Sequence, residues 1–249
     1  MVNLRLSVMP THTGRTAVMR VLESDKSFRH IAQLVKDVDL IAHLRNFIAS
    51  RHGLLFVTGP TSSGKTTTLY TMLKELSSLH SKILTLEDPV EMTLESISQI
   101  EVKPELGYSY VEGLRSAFRQ DPNVLMVGEI RDQEPAQMVV RASNSGLKVM
   151  TSLHAQTCVS ALIRMIDFDI DPAYLAGSVS LILNQRLVHN LCEYCAVPHK
   201  LTDLESDFLR QHGIGSENGY QFRESTGCKW CEFIGTQGRQ AVVEYLVMT

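Results

Sequence analysis

The sequence contains no apolar run long enough to cross a membrane. A transmembrane helix needs about 18 or more consecutive apolar residues, and no such run occurs among the 249 residues. The segment from Met1 to Val8 also lacks the charged start and continuous apolar stretch of a signal peptide. We therefore expect a cytoplasmic protein with no membrane span of its own.

A strong charge of either sign is absent as well. Lys and Arg number 24 and Asp and Glu number 27, so the formal net charge is −3. That balance gives no long-range attraction for nucleic acid, and no basic, aromatic-rich stripe of the kind that binds single strands stands out. We expect no nucleic-acid partner. With 44% apolar and 20% charged residues, the composition is typical of a globular protein with a substantial core.

Cysteine is scarce, but four of the five cysteines form two C-x-x-C pairs, Cys192 with Cys195 and Cys228 with Cys231. In a reducing compartment, two such pairs favour a tetrahedral Zn²⁺ site with thiolate ligands over disulfides. The pairs are separated by 32 residues, more than the roughly 15 to 20 of a zinc ribbon, so the ligands would close a long excursion of the chain. A redox-active pair and plain buried cysteines are the alternatives. The fifth, Cys158, is expected to be a small core residue.

The apolar pattern predicts a hairpin followed by alternating strands and helices. Alternating apolar residues on both sides of Pro10 to Gly14 predict a β-hairpin, and helical spacing predicts a helix over Leu34 to Ile48. Further strands are predicted at Leu54–Val57, Ile83–Leu86, Val124–Val127, Val149–Leu153 and Gln240–Val247, and further helices from Lys65, Glu112, Pro135, Val159 and Pro172, the last reaching Leu187. This alternation indicates an α/β fold with a parallel sheet covered by helices.

A phosphate-binding pattern directly follows the apolar run at 54–57. Residues 59–66 fit the pattern G-x-x-x-x-G-K-[ST]. The glycines let successive backbone N–H groups turn toward anionic oxygens, Lys65 adds a positive charge, and Thr66 can ligate Mg²⁺. A helix that starts here directs the positive end of its dipole at the phosphates. We predict that a nucleoside triphosphate with Mg²⁺ is bound by Gly59, Pro60, Thr61, Ser62, Ser63, Gly64, Lys65, Thr66 and Thr67.

Three of the predicted strands end in side chains that can carry chemistry, namely Glu87, Asp88 and Glu91 after the first, Glu129 after the second and His154 after the third. Open α/β sheets bind ligands at the carboxyl ends of their strands, so these groups would lie beside the phosphates. A carboxylate there can handle Mg²⁺ or orient the attacking water. We assign catalysis to Glu129, Glu91 and His154, and expect Glu87 and Asp88 to tune the metal shell. For each residue alone, a solvated surface charge or a structural histidine is the ordinary alternative.

The order of these motifs resembles the secretion and pilus-assembly ATPase family, the motors of type II secretion and type IV pili. The matching segments are the phosphate loop at 59–66, Leu86 to Glu91, Leu114 to Asn123 running into Gly128 to Asp132, and Thr151 to His154. The likeness covers nearly the whole chain. It implies a RecA-like core assembled into a hexameric ring, with ATP bound between subunits.

The resemblance also implies roles for residues outside the core. In this family two arginines of a small preceding domain reach the phosphates across an interface, and Arg5 and Arg20 match those positions. Such arginines would neutralise the charge that grows on the transferred phosphoryl group; the alternative is an exposed hairpin arginine. The tetracysteine module resembles that of assembly and secretion motors, whereas retraction motors generally lack it. We therefore expect an extension-type motor.

We accordingly predict three domains. Residues 1–33 would be the C-terminal remnant of a small PAS-like domain, residues 34–190 the RecA-like ATPase core, and residues 191–249 the tetracysteine metal-binding module with a final strand. Because only the last hairpin of the small domain fits before Leu34, we expect a fragment of a longer protein.

The predicted function is ATP hydrolysis by a homo-hexameric motor that powers pilin or pseudopilin assembly, with ATP, Mg²⁺ and Zn²⁺ as cofactors. Its expected partner is an inner-membrane platform protein of a pilus or secretion machine. The alternatives are a nucleic-acid translocase or recombinase that shares the core, and a nucleotide-binding fragment that assembles without hydrolysing.

Overall fold

Strands and helices alternate along most of the chain in the computed structural model, which describes residues 3–22, 30–77, 81–214 and 220–248. The strands are, in chain order, β1 (Asn3–Thr11), β2 (Gly14–Leu22), β3 (Gly53–Thr58), β4 (Ile83–Glu87), β5 (Ser98–Glu101), β6 (Val124–Val127), β7 (Lys148–Leu153), β8 (Val179–Leu191), β9 (Ala196–Pro198), β10 (Arg223–Ser225) and β11 (Thr236–Val247). The helices are α1 (Ile31–Leu34), α2 (Val38–Ala49), α3 (Lys65–Ser77), α4 (Tyr110–Phe118), α5 (Gln133–Asn144), α6 (Cys158–Asp167), α7 (Pro172–Ser178) and α8 (Asp203–Gln211).

The first two strands form a sheet of their own. β1 and β2 pair antiparallel, from Asn3 opposite Leu22 to Thr11 opposite Gly14. The predicted hairpin is therefore confirmed. Apolar side chains along it, such as Leu6 and Met19, are exposed.

A seven-stranded sheet forms the centre of the fold, in the order β11-β8-β3-β7-β6-β4-β5. β3 pairs parallel with both β7 and β8, and β4 pairs parallel with both β5 and β6, which in turn pairs parallel with β7. Every residue of β3, β4, β6 and β7 is buried. Strands buried on both faces have nearly continuous apolar sequences, which explains why these four were predictable. The mostly parallel sheet covered by helices is confirmed.

The two faces of the sheet pack against different helices. On β3, Leu54 and Phe56 belong to a core with residues of α4, α5 and α6. Their neighbours Leu55 and Val57 belong to a second core, with residues of α2 and α3. Because successive strand side chains point to opposite faces, this division gives a three-layered arrangement of helix, sheet and helix.

The prediction of a helix from Pro172 to Leu187 is wrong in its second half. The helix α7 ends at Ser178, and β8 begins at Val179. Short apolar runs do not distinguish a buried strand from a buried helix by periodicity. Here the parallel register decides, since Leu181 to Asn184 pair with Leu55 to Thr58 of β3. Because β8 is a strand paired with β3, its residue Asn184 lies beside the start of the phosphate loop.

The chain forms two compact units, Met1–Gln185 with Val243–Thr249, and Arg186–Val242. The first unit contains the helices α1 to α7 and the two apolar cores. The second contains β9, β10, α8 and the four cysteines of the C-x-x-C pairs. The predicted breaks after residues 33 and 190 stay predictions.

Candidate nucleotide site and cysteine cluster

The predicted phosphate loop lies between a buried strand and a helix. β3 ends at Thr58 and α3 begins at Lys65. Positive φ angles of 139° at Gly59, 63° at Ser62 and 89° at Gly64 turn the backbone in between. A left-handed residue costs a non-glycine side chain roughly 1–2 kcal/mol, so Ser62 is the position where the loop departs from the usual glycine preference. The loop wraps around the amino terminus of a helix, where backbone N–H groups are available for an anion.

The side chain of Lys65 folds back over this loop. Its Nζ donates to the carbonyl oxygens of Gly59 (2.9 Å) and Pro60 (3.0 Å). Burial lowers the pKa of Lys65, while the negative charge of Glu129 raises it again. The charge of Glu129, which follows β6, thus acts on the ammonium of Lys65 at the start of α3. The two carbonyl contacts can be exchanged for phosphate oxygens, which are stronger acceptors for a charged donor.

Glu129 forms the centre of a charged cluster at the carboxyl ends of β4, β6 and β7. Its Oε1 accepts a hydrogen bond from Arg131, and its Oε2 lies 3.5 Å from Nε2 of His154. Nη1 of Arg131 also lies 3.7 Å from Oδ2 of Asp88. Hydrogen bonding to Glu129 raises the pKa of Arg131, so the guanidinium stays charged. Arg131 therefore links the carboxylates that follow two neighbouring strands.

Glu87 is placed differently from the other acidic residues, because its carboxylate is buried in the protein. Tyr70 donates to its Oε2, while Thr85 (2.5 Å) and Gln99 (3.0 Å) donate to its Oε1. Tyr70 also accepts a hydrogen bond of 3.3 Å from the backbone N–H of Glu91. The exposed loop that carries Glu91 is thereby tied to α3, the helix that starts at the phosphate loop.

A second buried tyrosine hydroxyl, that of Tyr110 on α4, has no hydrogen-bond partner among the described residues. A Cβ added to Gly128 would lie 3.4 Å from it, which places the hydroxyl next to the residue that precedes Glu129. Burial raises the pKa of Tyr110, and the charges of Glu129 and Asp88 raise it further. The phenol therefore stays protonated and is a potential hydrogen-bond donor within the acidic cluster.

The structure brings most of the residues selected from the sequence to one edge of the sheet. The loop from Gly59 to Thr67, Asp88, Glu129 and His154 all follow carboxyl ends of neighbouring parallel strands. Glu91 lies further along the loop after β4, and Glu87 points into the interior. The backbones of Arg5 and Arg20 face each other in the hairpin, but their side chains lie outside the part of the chain that the structure describes.

Sequence reasoning missed Arg131, Tyr70, Asn184 and Gln185. Asn184 and Gln185 end the buried part of β8, and both are almost completely buried. Asn184 donates to Oγ1 of Thr58 (2.8 Å) and to the carbonyl of Ala155 (3.0 Å). The available signal was a pair of amides that directly follows the apolar run Val179 to Leu183. Treating that run as part of a helix removed it from the sheet edge.

The four cysteines of the C-x-x-C pairs form one cluster, as predicted. Their sulfur atoms all lie within 4.8 Å of one another. The distances are 3.8 Å from Cys192 to Cys228, 3.9 Å from Cys195 to Cys231 and 3.8 Å from Cys228 to Cys231. Thiolates placed tetrahedrally at about 2.3 Å from Zn²⁺ would be about 3.8 Å apart. The donor set and its spacing therefore fit a tetrahedral metal ion.

Backbone groups support a thiolate at Cys231. The N–H groups of Cys228 and Gly235 each donate to its Sγ at 3.2 Å. Burial alone would raise the pKa of this thiol, but these donors and the neighbouring sulfurs lower it to about 6. Cys158 is not part of the cluster. It is buried in the first unit, where its Sγ contacts the carbonyl oxygens of Ile182 (3.6 Å) and Glu244 (3.5 Å), as expected for a core residue.

Comparison with known families decides the identity of this arrangement. The profile of the type II/IV secretion system protein family matches residues 1–249. The chain belongs to this family. Among its relatives in the type II/IV secretion system protein family, the type II secretion system protein E of Aeromonas hydrophila is 39% identical over 247 residues, which are 99% of this chain and 49% of the relative. The type IV pilus assembly ATPase TfpB of Acinetobacter baylyi is 37% identical over 244 residues, which are 98% of this chain and 41% of that protein. The chain thus spans about half the length of these relatives.

Solved structures of lower identity show the same fold. The Legionella pneumophila ATPase DotB aligns over 100% of this chain and 58% of its own, with a TM-score of 0.66 at 21% identity. The pilus retraction motor PilT with bound ADP aligns over 87% of this chain and 69% of its own, with a TM-score of 0.62 at 23% identity. Among the described residues of this chain, no helix is both long and apolar enough to span a bilayer.

Proposed function

We propose that this chain binds ATP with Mg²⁺ and hydrolyses it, as part of a hexameric motor that powers pilin or pseudopilin assembly in type IV pilus biogenesis or type II secretion. Membership of the type II/IV secretion system protein family supports the proposal. So do relatives whose names are type II secretion system protein E and type IV pilus assembly ATPase. The observation that carries it is the sheet edge at which the loop from Gly59 to Lys65, after β3, and Glu129, after β6, both follow the carboxyl ends of parallel strands.

In this proposal the loop from Gly59 to Thr67 encloses the phosphates with its backbone N–H groups. Lys65 leaves the carbonyls of Gly59 and Pro60 to bind phosphate oxygens, and Thr66 ligates Mg²⁺. The ion would offset the negative charge of the triphosphate. Glu129 orients the water that attacks the terminal phosphate, which requires that Arg131 release part of its hold on the carboxylate.

The remaining acidic residues and His154 have supporting roles in this proposal. Asp88 and Glu91 contribute to the shell of waters around Mg²⁺, while His154 positions the terminal phosphate from the end of β7. Glu87 acts from the interior through its bonds with Tyr70 and Gln99, which hold the loop after β4 in place. This assignment refines the expectation that Glu87 contacts the metal shell itself, because both of its oxygens already accept hydrogen bonds.

Arg5 and Arg20 would complete the site from a neighbouring subunit. Their facing positions in the hairpin support a paired role, since both would approach from the same small element. We propose that residues 1–33 belong to a PAS-like domain, that residues 34–190 form the ATPase core, and that residues 191–249 form the metal-binding module. Assembly as a homo-hexamer places ATP between subunits, on the cytoplasmic side of the inner membrane, with a platform protein as partner.

We propose Zn²⁺ as the ion held by Cys192, Cys195, Cys228 and Cys231. The sulfur spacing suits a tetrahedral ion, and a closed set of four thiolates leaves no open position for a substrate. The ion would therefore stabilise the fold of this segment and take no part in hydrolysis. The backbone donors to Cys231 would help to balance the negative charge of the thiolates.

The test combines phosphate release with a mass measurement in solution. Lys65→Ala should abolish MgADP binding, because the phosphate loop loses the positive charge of the ammonium. Glu129→Gln should retain binding but lower the rate of hydrolysis by about 100-fold or more. Glu105→Gln, which makes the same change at an exposed position, serves as the matched control. Hydrolysis at the wild-type rate by Glu129→Gln would refute the assignment. Nucleotide binding by a wild-type hexamer without any phosphate release would instead identify the non-hydrolysing alternative.

A further inference from the structure

We propose that Gln185 is a positioning residue that braces the phosphate loop in the conformation required for nucleotide binding. The inference rests on the nucleotide-binding role proposed above and adds a residue more than a hundred positions away along the chain. Gln185 follows the apolar part of β8, the strand next to β3 in the sheet. Its position at the end of β8 brings it beside the loop that leaves β3.

Both polar groups of the Gln185 side chain are used, in an environment where the residue is only 1% exposed. Nε2 donates to the carbonyl oxygen of Ser63 (2.7 Å), and Oε1 accepts from Oγ1 of Thr68 (2.9 Å). The carbonyl can only accept, so it determines which end of the amide faces it. Burying an amide is costly unless its hydrogen bonds are made. An apolar side chain of equal length would fill the same volume without that cost, which points to a role beyond packing.

The bond to Ser63 controls the direction of a peptide group inside the loop. In a trans peptide the C=O and the following N–H point in opposite directions. Holding the oxygen of Ser63 toward Gln185 therefore turns the N–H of Gly64 away from β8. Phosphate oxygens are attracted by N–H groups and repelled by carbonyl oxygens. A loop whose Ser63 carbonyl swung outward would present the wrong dipole to the ligand.

Gln185 also meets the other end of the loop through its backbone. A Cβ added to Gly59 would lie only 2.4 Å from the carbonyl oxygen of Gln185. This close approach explains why the loop begins with glycine, in addition to its φ of 139°. Gln185 thus contacts the loop near Gly59 and at Ser63, and Thr68 ties the same amide to α3. One residue thus fixes the loop relative to the sheet and the helix.

The experiment measures MgADP affinity of the full chain by calorimetric titration, together with thermal unfolding. Gln185→Met keeps the length and volume of the side chain but removes both hydrogen bonds. We expect affinity to fall about tenfold or more, since two bonds of about 1 kcal/mol each correspond to more than a factor of ten. A merely packing role predicts affinity within about twofold of the wild type, and that result would overturn the proposal.

A second pair of variants decides the matter if Gln185→Met does not fold. Thr68→Val removes the hydroxyl that orients the amide and should weaken MgADP binding several-fold, whereas Thr68→Ser keeps the hydroxyl and should bind as the wild type does. Equal MgADP affinities of Thr68→Val and Thr68→Ser would contradict the proposed positioning role of Gln185. In the double variant Gln185→Met with Thr68→Val, the losses should not add, because both disrupt the same contact.

Lys148→Met is the matched control for a loss of stability without a loss of binding. This buried lysine donates to the carbonyl of Ile48 (2.6 Å) at the amino end of β7, the opposite edge of the sheet. Its replacement should lower the unfolding midpoint and leave MgADP affinity unchanged. If the wild type itself fails to bind MgADP, the proposed function is wrong. If the wild type binds MgADP and Gln185→Met binds it equally well, only the positioning role of Gln185 is wrong.

Discussion

The two units of the chain are stabilised by different interactions. The first unit buries whole strands, such as Leu54 to Val57 with no exposed surface, between two apolar cores. In the described part of Arg186–Val242, the buried hydrophobic residues are Cys192, Cys195 and Cys231. Large apolar side chains there, including Tyr194, Phe208, Trp230 and Phe233, are exposed. A segment with so little apolar core needs another source of stability, and the four clustered cysteines could supply it by holding the proposed metal ion.

The largest expected effect is the loss of that ion from the second unit. Cys231→Ser should release the metal and unfold the segment, because binding to a thiolate site contributes about 10 kcal/mol or more to the folding of small zinc domains. The single tryptophan of the chain is Trp230, which stacks on Tyr194 with ring centroids 5.1 Å apart. Its fluorescence therefore reports on this unit alone. Metal analysis and the shift of Trp230 emission measure the outcome.

Cys158→Ser provides the matched control for the same chemical change in the first unit. Cys158 lies outside the cysteine cluster, so this variant should retain its metal and the emission of Trp230. Full metal occupancy in Cys231→Ser would show that the four cysteines are not the ligands. It would also remove the proposed reason for the difference between the units.

An intermediate effect comes from removing one phenylalanine ring in each unit. Phe56→Ala deletes a side chain with no exposed surface and should destabilise the sheet unit by about 3–5 kcal/mol. Phe208→Ala deletes a ring that is 60% exposed and contacts His212, and should cost less than about 1 kcal/mol. Urea unfolding followed by circular dichroism measures the first, and the Trp230 signal measures the second. Similar losses at both positions would mean that the second unit has a core after all.

Local sequence patterns explain why much of the sheet unit was predictable. The strands β3, β4, β6 and β7 are buried on both faces, so their sequences are nearly continuous apolar runs. The phosphate loop is one contiguous segment with a recognisable spacing. The meeting of Glu129 with His154 also followed, because parallel strands bring their carboxyl ends to one edge.

Contacts between distant residues could not be derived in the same way. The bond from Gln185 to Ser63 joins residues 122 positions apart, and it depends on β8 being a strand, which periodicity did not reveal. The position of β11 beside β8 at the edge of the sheet is likewise a matter of tertiary pairing. In the second unit, α8 was missed although the sequence carries a start signal for it, the capping box of Thr202 and Glu205, and two apolar residues one turn apart, Leu204 and Phe208.

The smallest expected effect concerns an ion pair in the second unit, where His199 lies 3.1 Å from both Glu205 and Glu224. The hydrogen bond to Glu205 raises the pKa of His199 above its usual 6.5, against the effect of burial. A raised pKa in the folded state stabilises the unit below pH 6.5, and this contribution is lost as the pH rises through the raised value. The backbone N–H of Thr202, with His199, lowers the pKa of Glu205 to about 2, so the carboxylate stays charged throughout that range.

Stability of the metal-loaded second unit should therefore decline slightly as the pH rises above 6.5 in the wild type, and this decline should disappear in His199→Gln. His189→Gln makes the same change at an exposed position of the unit and should keep the decline. Titration of the His199 ring by NMR tests the cause directly, because Glu205→Gln should lower its pKa toward 6.5. An unchanged pKa in Glu205→Gln would show that the ion pair does not form, which would leave the metal as the main identified contribution to the stability of this unit.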